Sequence, residues 1–195
     1  DRTGLSEHIH ADGYHGGLYD PQGGHFHPLN YVRGLTVAAE EAGVQIFENS
    51  RVTEVIDQGA VTVRTAHGTV RAAHAILATD AWMEEIDPGL ARFTIPIMNY
   101  NVATAPLPNA DDLLPSNAAV ADSRFVLNYF RLSADKRLLF GGGEKYVQTP
   151  PADIAGFVRR HIVEVFPQLA DTPIDYQWGG AVSVSMNRLP ILGRR

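Results

Sequence analysis

The sequence lacks cysteine and has few charged residues, and each shortage excludes a class of protein. None of the 195 residues is cysteine, which excludes disulfide frameworks, thiolate nucleophiles and cysteine metal sites. Only 19% of residues are charged, and 16 Lys and Arg against 22 Asp and Glu give a net charge of −6 with no basic stripe, which argues against a nucleic-acid partner. No apolar run approaches the roughly 20 residues that cross a bilayer, and no signal peptide begins the chain. We therefore expect a soluble, cytoplasmic protein without a membrane partner.

The fingerprints of several nucleotide-binding and hydrolytic enzymes are also missing. No G-x-G-x-x-G occurs, and no Lys-Ser/Thr pair follows Gly141-Gly142-Gly143, so a P-loop is excluded. A serine hydrolase has no G-x-S-x-G anchor, and Ser183 and Ser185 are interpreted as structural residues of a strand. The glycine triplet marks either a strand end with close backbone packing or a place where a planar ligand approaches the main chain.

The hydrophobic content of 45% is enough to bury a sizeable core. Apolar residues at three- and four-residue steps predict an amphipathic helix of about fourteen residues from Pro28 to Gly43. The apolar runs Val44–Phe47 and His74–Ala78 read as strands, and the second is typical of a parallel sheet covered on both faces. Between these runs, alternation predicts a three-stranded meander over residues 51–56, 60–65 and 69–72.

The second half of the chain predicts a separate, largely antiparallel sheet and one more helix. Thr149-Pro150-Pro151 is expected to cap that helix and Pro167 to end it. The predicted strands cover residues 94–105, 125–132, 137–141, 174–178 and 181–185. The expected fold class is therefore mixed α/β.

Two histidine pairs are candidate metal ligands, because His8 and His10, and likewise His25 and His27, share a face if their segments are extended. Zinc requires a third ligand with its own supporting contacts. The sequence offers no H-E-x-x-H motif or carboxylate at helical spacing to supply one. No metal site is expected, and the histidines are interpreted as turn or pocket residues.

Tyr129 and Arg131 alternate on one predicted strand and therefore face the same side. An aromatic ring beside a guanidinium suits an anionic or amphipathic small ligand, although an arginine on a solvent-facing surface explains the pattern equally well. Trp178, followed by two glycines, is either a core aromatic at a bend or a ligand-facing side chain.

An ordered set of short motifs runs through the chain. The set resembles the FAD-dependent amine oxidoreductases of the D-amino-acid-oxidase-like superfamily, which include gamma-glutamylputrescine, sarcosine and glycine oxidases, with the greatest likeness to the first. The motifs are Gly16-Gly17-Leu18-Tyr19-Asp20, Gly24-His25-Phe26-His27-Pro28, Ile76 to Trp82, Tyr129 to Leu132, Leu138 to Glu144, Phe166 to Leu169, and Trp178 with Arg188 to Arg194.

The resemblance implies two lobes, with FAD as cofactor and a small-molecule amine as substrate. A partial Rossmann-like FAD-binding domain would comprise residues 21–93 and 186–195, and a substrate domain with a mixed sheet residues 1–20 and 94–185. Hydride transfer to the flavin requires no protein acid or base, so no catalytic residue is assigned. Asp80 stands where relatives more often have glycine, which disfavours a backbone–phosphate contact there. The implied cofactor contacts are Val52, Thr79, Ala81, Trp82, Arg188, Pro190 and Gly193, and the candidate substrate contacts are His27, Tyr129, Arg131 and Trp178.

The chain departs from this family at its two ends. The ADP-binding βαβ unit that relatives carry upstream and the glycine-rich segment that they carry downstream are both missing from the sequence. We expect an incomplete fragment, inactive alone, that binds FAD weakly if at all and forms a homodimer through exposed apolar surface. The alternatives are a non-catalytic domain that binds a small ligand or a protein and, with less support, an NAD-dependent dehydrogenase.

Overall fold

The computed structural model describes residues 2–147 and 149–193, and it divides into two compact units. The first unit comprises Asp1–Pro28 and Ile97–Ala181, and the second comprises Leu29–Pro96 and Val182–Arg195. The domains expected from the sequence have their boundaries after residues 20, 93 and 185, whereas the two units have theirs after residues 28, 96 and 181. Residues 194 and 195 of the expected FAD-binding domain lie outside the described residues. Which unit serves the cofactor and which the substrate stays a prediction.

Helices and strands alternate irregularly along the described chain, which confirms the mixed α/β class. Two short 3-10 segments, Asp80–Glu85 and Pro167–Leu169, accompany them. In chain order the elements are α1 (Arg2–Leu5), α2 (Pro28–Glu41), β1 (Val52–Asp57), β2 (Val61–Thr65), β3 (Thr69–Ala72), α3 (Pro88–Ala91), β4 (Thr94–Thr104), α4 (Ala110–Leu113), β5 (Val120–Ala121), β6 (Tyr129–Leu132), β7 (Leu138–Lys145), α5 (Ile154–Val165) and β8 (Ile174–Ser185).

The first unit is built on a five-stranded sheet in the order β5-β6-β7-β4-β8. The pairs β5–β6, β6–β7 and β4–β7 are antiparallel, as expected. One face of this sheet packs on α5 to form the core, where the ring of Phe130 stacks on Phe140 at 5.4 Å and meets Phe166 edge-on at 5.1 Å. Alternation along β6 buries Phe130 and Leu132 and leaves Tyr129 and Arg131 half-buried on the opposite face, so the sheet has one apolar and one polar side.

Helix α5 begins later than the sequence predicts. Its N-cap is Asp153, whose carboxylate accepts the backbone N–H of Gly156 at 2.9 Å, so the predicted cap at Thr149-Pro150-Pro151 is wrong. An aspartate at this position satisfies one of the N–H groups that have no partner within the helix. Prolines 150 and 151 precede the helix instead of opening it.

The second unit contains the predicted helix and the predicted meander. Helix α2 spans the expected fourteen residues, and β1, β2 and β3 form an antiparallel sheet in sequence order. The apolar stripe of α2 has no buried residue, and Leu29, Val32 and Leu35 each remain about half exposed. None of the described helices is long and apolar enough to cross a membrane.

Three predicted strand segments are wrong. Val44–Phe47 and His74–Ala78 are irregular, and residues 125–128 precede β6 without joining it. A strand requires hydrogen-bonded neighbours, yet within the described residues no hydrogen bond involves the backbone of residues 74–78. Ile76, at the centre of this run, is 91% exposed. Apolar composition indicates burial, but without a neighbouring strand it does not produce a sheet.

Candidate functional site

The glycine triplet forms a β-bulge that shapes the polar face of the sheet. Asn99 pairs with Glu144 and Asn101 with Gly141, so Gly142 and Gly143 together lie opposite the single residue Tyr100. Gly143 has φ +75°, a left-handed conformation that favours glycine. The triplet is thus a point of close backbone packing, one of the two interpretations that the sequence left open.

Gly141 provides space for the ring of Tyr129. Tyr129, Gly141 and Asn101 lie opposite one another on three neighbouring strands. A Cβ atom on Gly141 would lie 2.1 Å from Cζ of Tyr129, so the ring crosses the glycine and extends toward β4.

The hydroxyl of Tyr129 belongs to a network of three polar side chains. It donates to Oδ1 of Asn99, and Nδ2 of Asn101 donates to the same oxygen at 3.0 Å. Burial raises the pKa of the Tyr129 phenol, so the group stays protonated at neutral pH. With its proton directed at Asn99 and the amide of Asn101 also within hydrogen-bonding reach, the phenol oxygen can accept one further hydrogen bond from a ligand.

Arg131 lies two residues further along β6, on the same face as Tyr129. Its Nη1 lies 3.5 Å from Nδ1 of His25 and 3.3 Å from the carbonyl oxygen of Leu132. Within the described residues no carboxylate pairs with this guanidinium. Burial lowers the pKa of Arg131, although a guanidinium remains charged at any physiological pH. A half-buried cation without a counter-ion is suited to bind an anionic ligand.

His25 is fixed between Arg131 and the chain segment before β5. Its Nε2 lies 2.9 Å from the carbonyl oxygen of Asn117. A carbonyl only accepts and a guanidinium only donates, so the neutral ring carries its proton on Nε2 and offers Nδ1 to Arg131.

Alternation places Trp178 on the polar face. Its neighbours Gln177 and Gly179 face the side of the sheet on which α5 packs, since Oε1 of Gln177 accepts the N–H of Ala155 at 2.7 Å and a Cβ on Gly179 would lie 2.5 Å from the ring of Tyr100. Trp178 therefore points the opposite way, and it is 44% exposed. The first unit thus brings Tyr129, Arg131 and Trp178 to one face, and we call this the polar face.

Of the four candidate substrate residues, His27 is the one without an evident place on the polar face. It is an exposed residue directly before α2, and His25 is the imidazole that meets Arg131. Sequence reasoning missed His25 in this role, together with Asn99 and Asn101. The Asn-x-Asn spacing on a predicted strand was an available signal, because it sets two amides on one face.

The second unit contains all seven predicted cofactor residues. Asp80 has φ +45°, a conformation that glycine adopts most easily, and its carboxylate accepts the N–H of Ser183 at 3.0 Å. Thr79 begins the 3-10 turn that carries Ala81 and Trp82. The other members are Val52 at the start of β1 and, after β8, the exposed residues Arg188, Pro190 and Gly193.

Several apolar side chains in the segments that carry these residues are exposed. Trp82, Leu189 and Ile191 are all more than half exposed, and a Cβ on Gly193 would meet nothing within 4 Å. Exposed apolar side chains of this kind are able to contact a flat aromatic ring system. The pyrophosphate requires a glycine-rich turn at a helix N-terminus, and the sequence contains no such fingerprint.

Three or more His, Asp or Glu side chains arranged to hold a metal ion do not occur in the described part of the chain. The segment that carries His25 and His27 instead contributes an imidazole to the environment of Arg131.

Comparison with known proteins gives a match over almost the whole chain. Residues 2–195 match the family described as FAD dependent oxidoreductase. The chain is 39% identical to the probable oxidoreductase OrdL of Haemophilus influenzae over 201 residues, covering 100% of this chain and 46% of that protein. It is 36% identical to the gamma-glutamylputrescine oxidoreductase of Escherichia coli over 197 residues, again covering 100% and 46%.

Solved structures support the fold. The crystal structure of glycine oxidase from Geobacillus kaustophilus matches with a TM-score of 0.67 at 22% identity, covering 84% of this chain and 44% of that one. At this identity the likeness concerns the fold alone. The chain spans about half the length of the curated relatives that it matches.

Proposed function

Because this chain belongs to the FAD-dependent oxidoreductase family, we propose that it is part of an enzyme that oxidises an amine or an amino acid. The observation that carries the proposal is the polar face, where an oriented phenol, an unpaired guanidinium and an exposed indole lie on one side of a sheet. Such a surface recognises a small polar ligand rather than a macromolecule. The 36% identity to a gamma-glutamylputrescine oxidoreductase supports a primary or secondary amine of that type as substrate.

In the proposed reaction the carbon that bears the amine loses a hydride and the nitrogen loses a proton. The resulting imine is hydrolysed to a carbonyl compound and a free amine or ammonia. FAD, when bound, would supply the two-electron acceptor for this hydride, and a terminal acceptor such as oxygen, reduced to peroxide, would take the two electrons on. We propose that Thr79, Ala81, Trp82, Arg188, Pro190 and Gly193 hold the ring end of the cofactor and Val52 its adenine side.

The protein's own part in this reaction is to bind and orient the substrate. The oxygen of Tyr129 accepts a hydrogen bond from an N–H of the bound neutral amine, since its own proton is directed at Asn99. Trp178 supplies an apolar surface for the carbon chain, and Arg131 binds an anionic group of the substrate. These groups position the reacting C–H bond.

We also propose that the chain is the central part of a longer protein. Its relatives are about twice as long, and the apolar stripe of α2 is uncovered. On its own the chain would bind FAD weakly and would not turn over substrate. Its uncovered apolar residues favour a homodimer. A cytoplasmic location stays a prediction.

The test is an oxidation assay of the complete flavin-loaded protein with gamma-glutamylputrescine, putrescine, sarcosine and glycine, following carbonyl product and acceptor reduction. The proposal predicts turnover of at least one amine with equal amounts of both products. A protein that retains its flavin but oxidises none of them would overturn the proposal and favour the non-catalytic binding domain.

A further inference from the structure

Glu144 follows the glycine bulge on β7, and its side chain lies on the polar face. It pairs with Asn99 across the sheet, and residues directly opposite each other on antiparallel strands have their side chains on the same face. The side chain of Asn99 is on the polar face, because it accepts the hydrogen bond of Tyr129. Lys145, the next residue, points the other way, since its Nζ lies 5.4 Å from the centre of the Phe157 ring on α5. Alternation therefore sets Glu144 on the side of Tyr129.

The bulge determines which face receives this carboxylate. Gly142 and Gly143 together lie opposite Tyr100, so Glu144 is opposite Asn99. In a regular strand Gly143 would occupy that position and Glu144 would point toward α5, because a shift of one residue moves a side chain to the other face. The extra residue at the glycines thus delivers an acidic side chain to the polar face.

The negative charge of Glu144 acts on the phenol of Tyr129. Burial is the main cause of the raised pKa of this phenol, and the charge of Glu144 raises it further, whereas hydrogen bonds with Asn101 and Asn99 lower it. Charges are screened by salt over about 10 Å, so an effect of this kind requires proximity. The carboxylate and the phenol are therefore neighbours on the polar face.

Glu144 is partly buried, and among the described residues its side chain makes no hydrogen bond or ion pair. The neighbouring strands face it with the amide of Asn99 on β4 and the phenol of Tyr129 on β6. The guanidinium of Arg131 lies on the opposite side of Tyr129 along the sheet, because Arg131 is opposite Leu139. A partly buried carboxylate without a partner is costly, and a cationic group suits it.

Amine oxidation at this face requires that the substrate lose a proton before its hydride. An aliphatic amine is almost entirely protonated at neutral pH, since the comparable amine of lysine has a pKa of about 10.4. A carbon beside an ammonium group does not give up a hydride, because the nitrogen has no lone pair to form the new C=N bond. The phenol of Tyr129 keeps its own proton, since burial raises its pKa, whereas the adjacent carboxylate of Glu144 is able to accept one.

We propose that Glu144 binds the reacting amine in its ammonium form and accepts the proton that this amine must lose. An N–H bond of the ammonium group breaks, its electron pair stays on nitrogen, and an O–H bond forms on the carboxylate. The neutral amine then donates an N–H to the oxygen of Tyr129, and its carbon loses the hydride to the two-electron acceptor of the proposed reaction. The carboxyl group afterwards releases its proton to water.

The local environment favours this transfer. Removing the ammonium group and the carboxylate from water disfavours both charged forms, so a neutral amine beside a neutral acid costs less here than in water. The inference rests on the proposed amine oxidation and assigns to Glu144 a catalytic role in it.

The test is the pH dependence of flavin bleaching when the complete flavin-loaded protein is mixed anaerobically with gamma-glutamylputrescine. Glu144→Gln removes the proton acceptor with little change of shape, and at pH 7 it should lower the second-order rate constant of bleaching by about 100-fold. Between pH 7 and pH 9.5 the neutral fraction of the free amine rises about 300-fold. The variant then binds amine that has already lost its proton, so its deficit relative to wild type should shrink by about 10-fold or more.

Two further variants separate this role from a structural one. Glu144→Asp keeps a carboxylate and should retain part of the rate at pH 7. Glu164, an exposed carboxylate on α5, is the matched control, and Glu164→Gln should follow wild type at both pH values. A purely structural role of Glu144 would lower the rate by the same factor at each pH.

The phenol of Tyr129 gives a second readout, without turnover. Because the charge of Glu144 raises the pKa of this phenol, the phenol should ionise at a lower pH in Glu144→Gln and at the wild-type pH in Glu164→Gln. Carbon-13 NMR of ring-labelled tyrosine in the complete protein measures the ionisation, and Tyr129→Phe identifies the signal. An unchanged ionisation in Glu144→Gln would overturn the inference, because the carboxylate would then not reach the phenol.

The outcomes distinguish the inference from the function on which it rests. An equal deficit of Glu144→Gln at pH 7 and pH 9.5, or a deficit at neither, would overturn the proton-accepting role and leave amine oxidation standing. A wild-type protein that retains its flavin, but is bleached by none of gamma-glutamylputrescine, putrescine, sarcosine and glycine, would overturn the proposed function and this inference with it.

Discussion

The hydroxyl of Tyr129 on β6 donates its proton to Oδ1 of Asn99 on β4, although β7 lies between the two strands. The bond spans the intervening strand because that strand has glycine at position 141, opposite the tyrosine. The orientation of a candidate substrate-binding phenol therefore depends on a residue without a side chain.

We predict that Gly141→Ala destabilises the chain by about 1–3 kcal/mol, the usual cost of overpacking. The new methyl group would lie 2.1 Å from the Tyr129 ring and force it off its position. Urea unfolding measures the change in the free energy of unfolding.

Gly180→Ala on β8 is the matched control, since a Cβ there meets nothing within 4 Å. It should change the free energy of unfolding by less than about 0.5 kcal/mol. Equal effects of the two substitutions would mean that the ring does not occupy the space above Gly141.

The bond between Asn99 and Tyr129 should appear as an energetic coupling. We expect Asn99→Ala and Tyr129→Phe to be non-additive, with a coupling of about 0.5–1.5 kcal/mol in a double-mutant cycle of urea unfolding. Lys136 contacts Asp111 and not Tyr129 or Asn99, so the changes in the free energy of unfolding caused by Tyr129→Phe and Lys136→Ala should add. A coupling of zero in the first cycle would show that the bond contributes nothing.

The N-cap of α5 can be tested against the cap that the sequence predicts. Asp153→Ala should lower the free energy of unfolding by about 1 kcal/mol, because the N–H of Gly156 loses its acceptor. Thr149→Ala should have an effect below about 0.5 kcal/mol. The reverse ranking in urea unfolding would place the helix start at residue 149.

His161 on α5 should make the chain less stable in mild acid. Burial lowers the pKa of this imidazole, Glu164 and Asp122 oppose the shift, and Arg160 and Arg124 reinforce it. The folded state therefore favours the neutral ring, and its contribution is present above the unfolded pKa of about 6.5.

As the pH falls below that value, the unfolded chain binds a proton more readily than the folded chain, and stability is lost. The His161→Gln variant should lose less stability than wild type between neutral and mildly acidic pH in urea unfolding. His67→Gln, in an exposed turn, should keep the wild-type dependence. An unchanged pH profile in His161→Gln would assign the acid sensitivity to other groups.

The apolar stripe of α2 predicts self-association of the isolated chain. Val32→Glu should shift it toward monomer in light scattering, since it places a charge in a surface that a second copy would cover. Arg33→Ala is the control, because it lowers the net charge by one, as Val32→Glu does, but lies outside the apolar stripe. It should leave the degree of self-association unchanged. A monomeric wild-type chain would contradict the proposed homodimer.

The sequence predicts local elements well where a regular pattern and a stop signal coincide. Helix α2 and the meander β1–β3 lie where they are expected, with strand bounds within one residue of the prediction, because periodicity and the turns at Gly43 and Gly59 act within a few residues. The strand expected at 74–78 is wrong, since a parallel strand depends on neighbours that are far away in the sequence and that an apolar run does not reveal.

The polar face was predictable only in part. Alternation sets Tyr129 and Arg131 on one side of β6, as expected. Asn99, the partner of Tyr129, lies 30 residues from it in the sequence, and His25, the partner of Arg131, lies 106 residues from it. Contacts over such separations depend on the folded structure, and for Asn99 on the strand register and the bulge at the glycines. The roles of these residues and of the seven cofactor residues stay predictions.

The most direct test of amine oxidation at the polar face is anaerobic mixing of the complete flavin-loaded protein with gamma-glutamylputrescine, followed by the visible absorption of the flavin. We predict that the band bleaches in wild type, and that the bleaching is slower at the same substrate concentration in Tyr129→Phe and Arg131→Gln. A band that stays unbleached with every amine, in a protein that retains its flavin, would contradict the account.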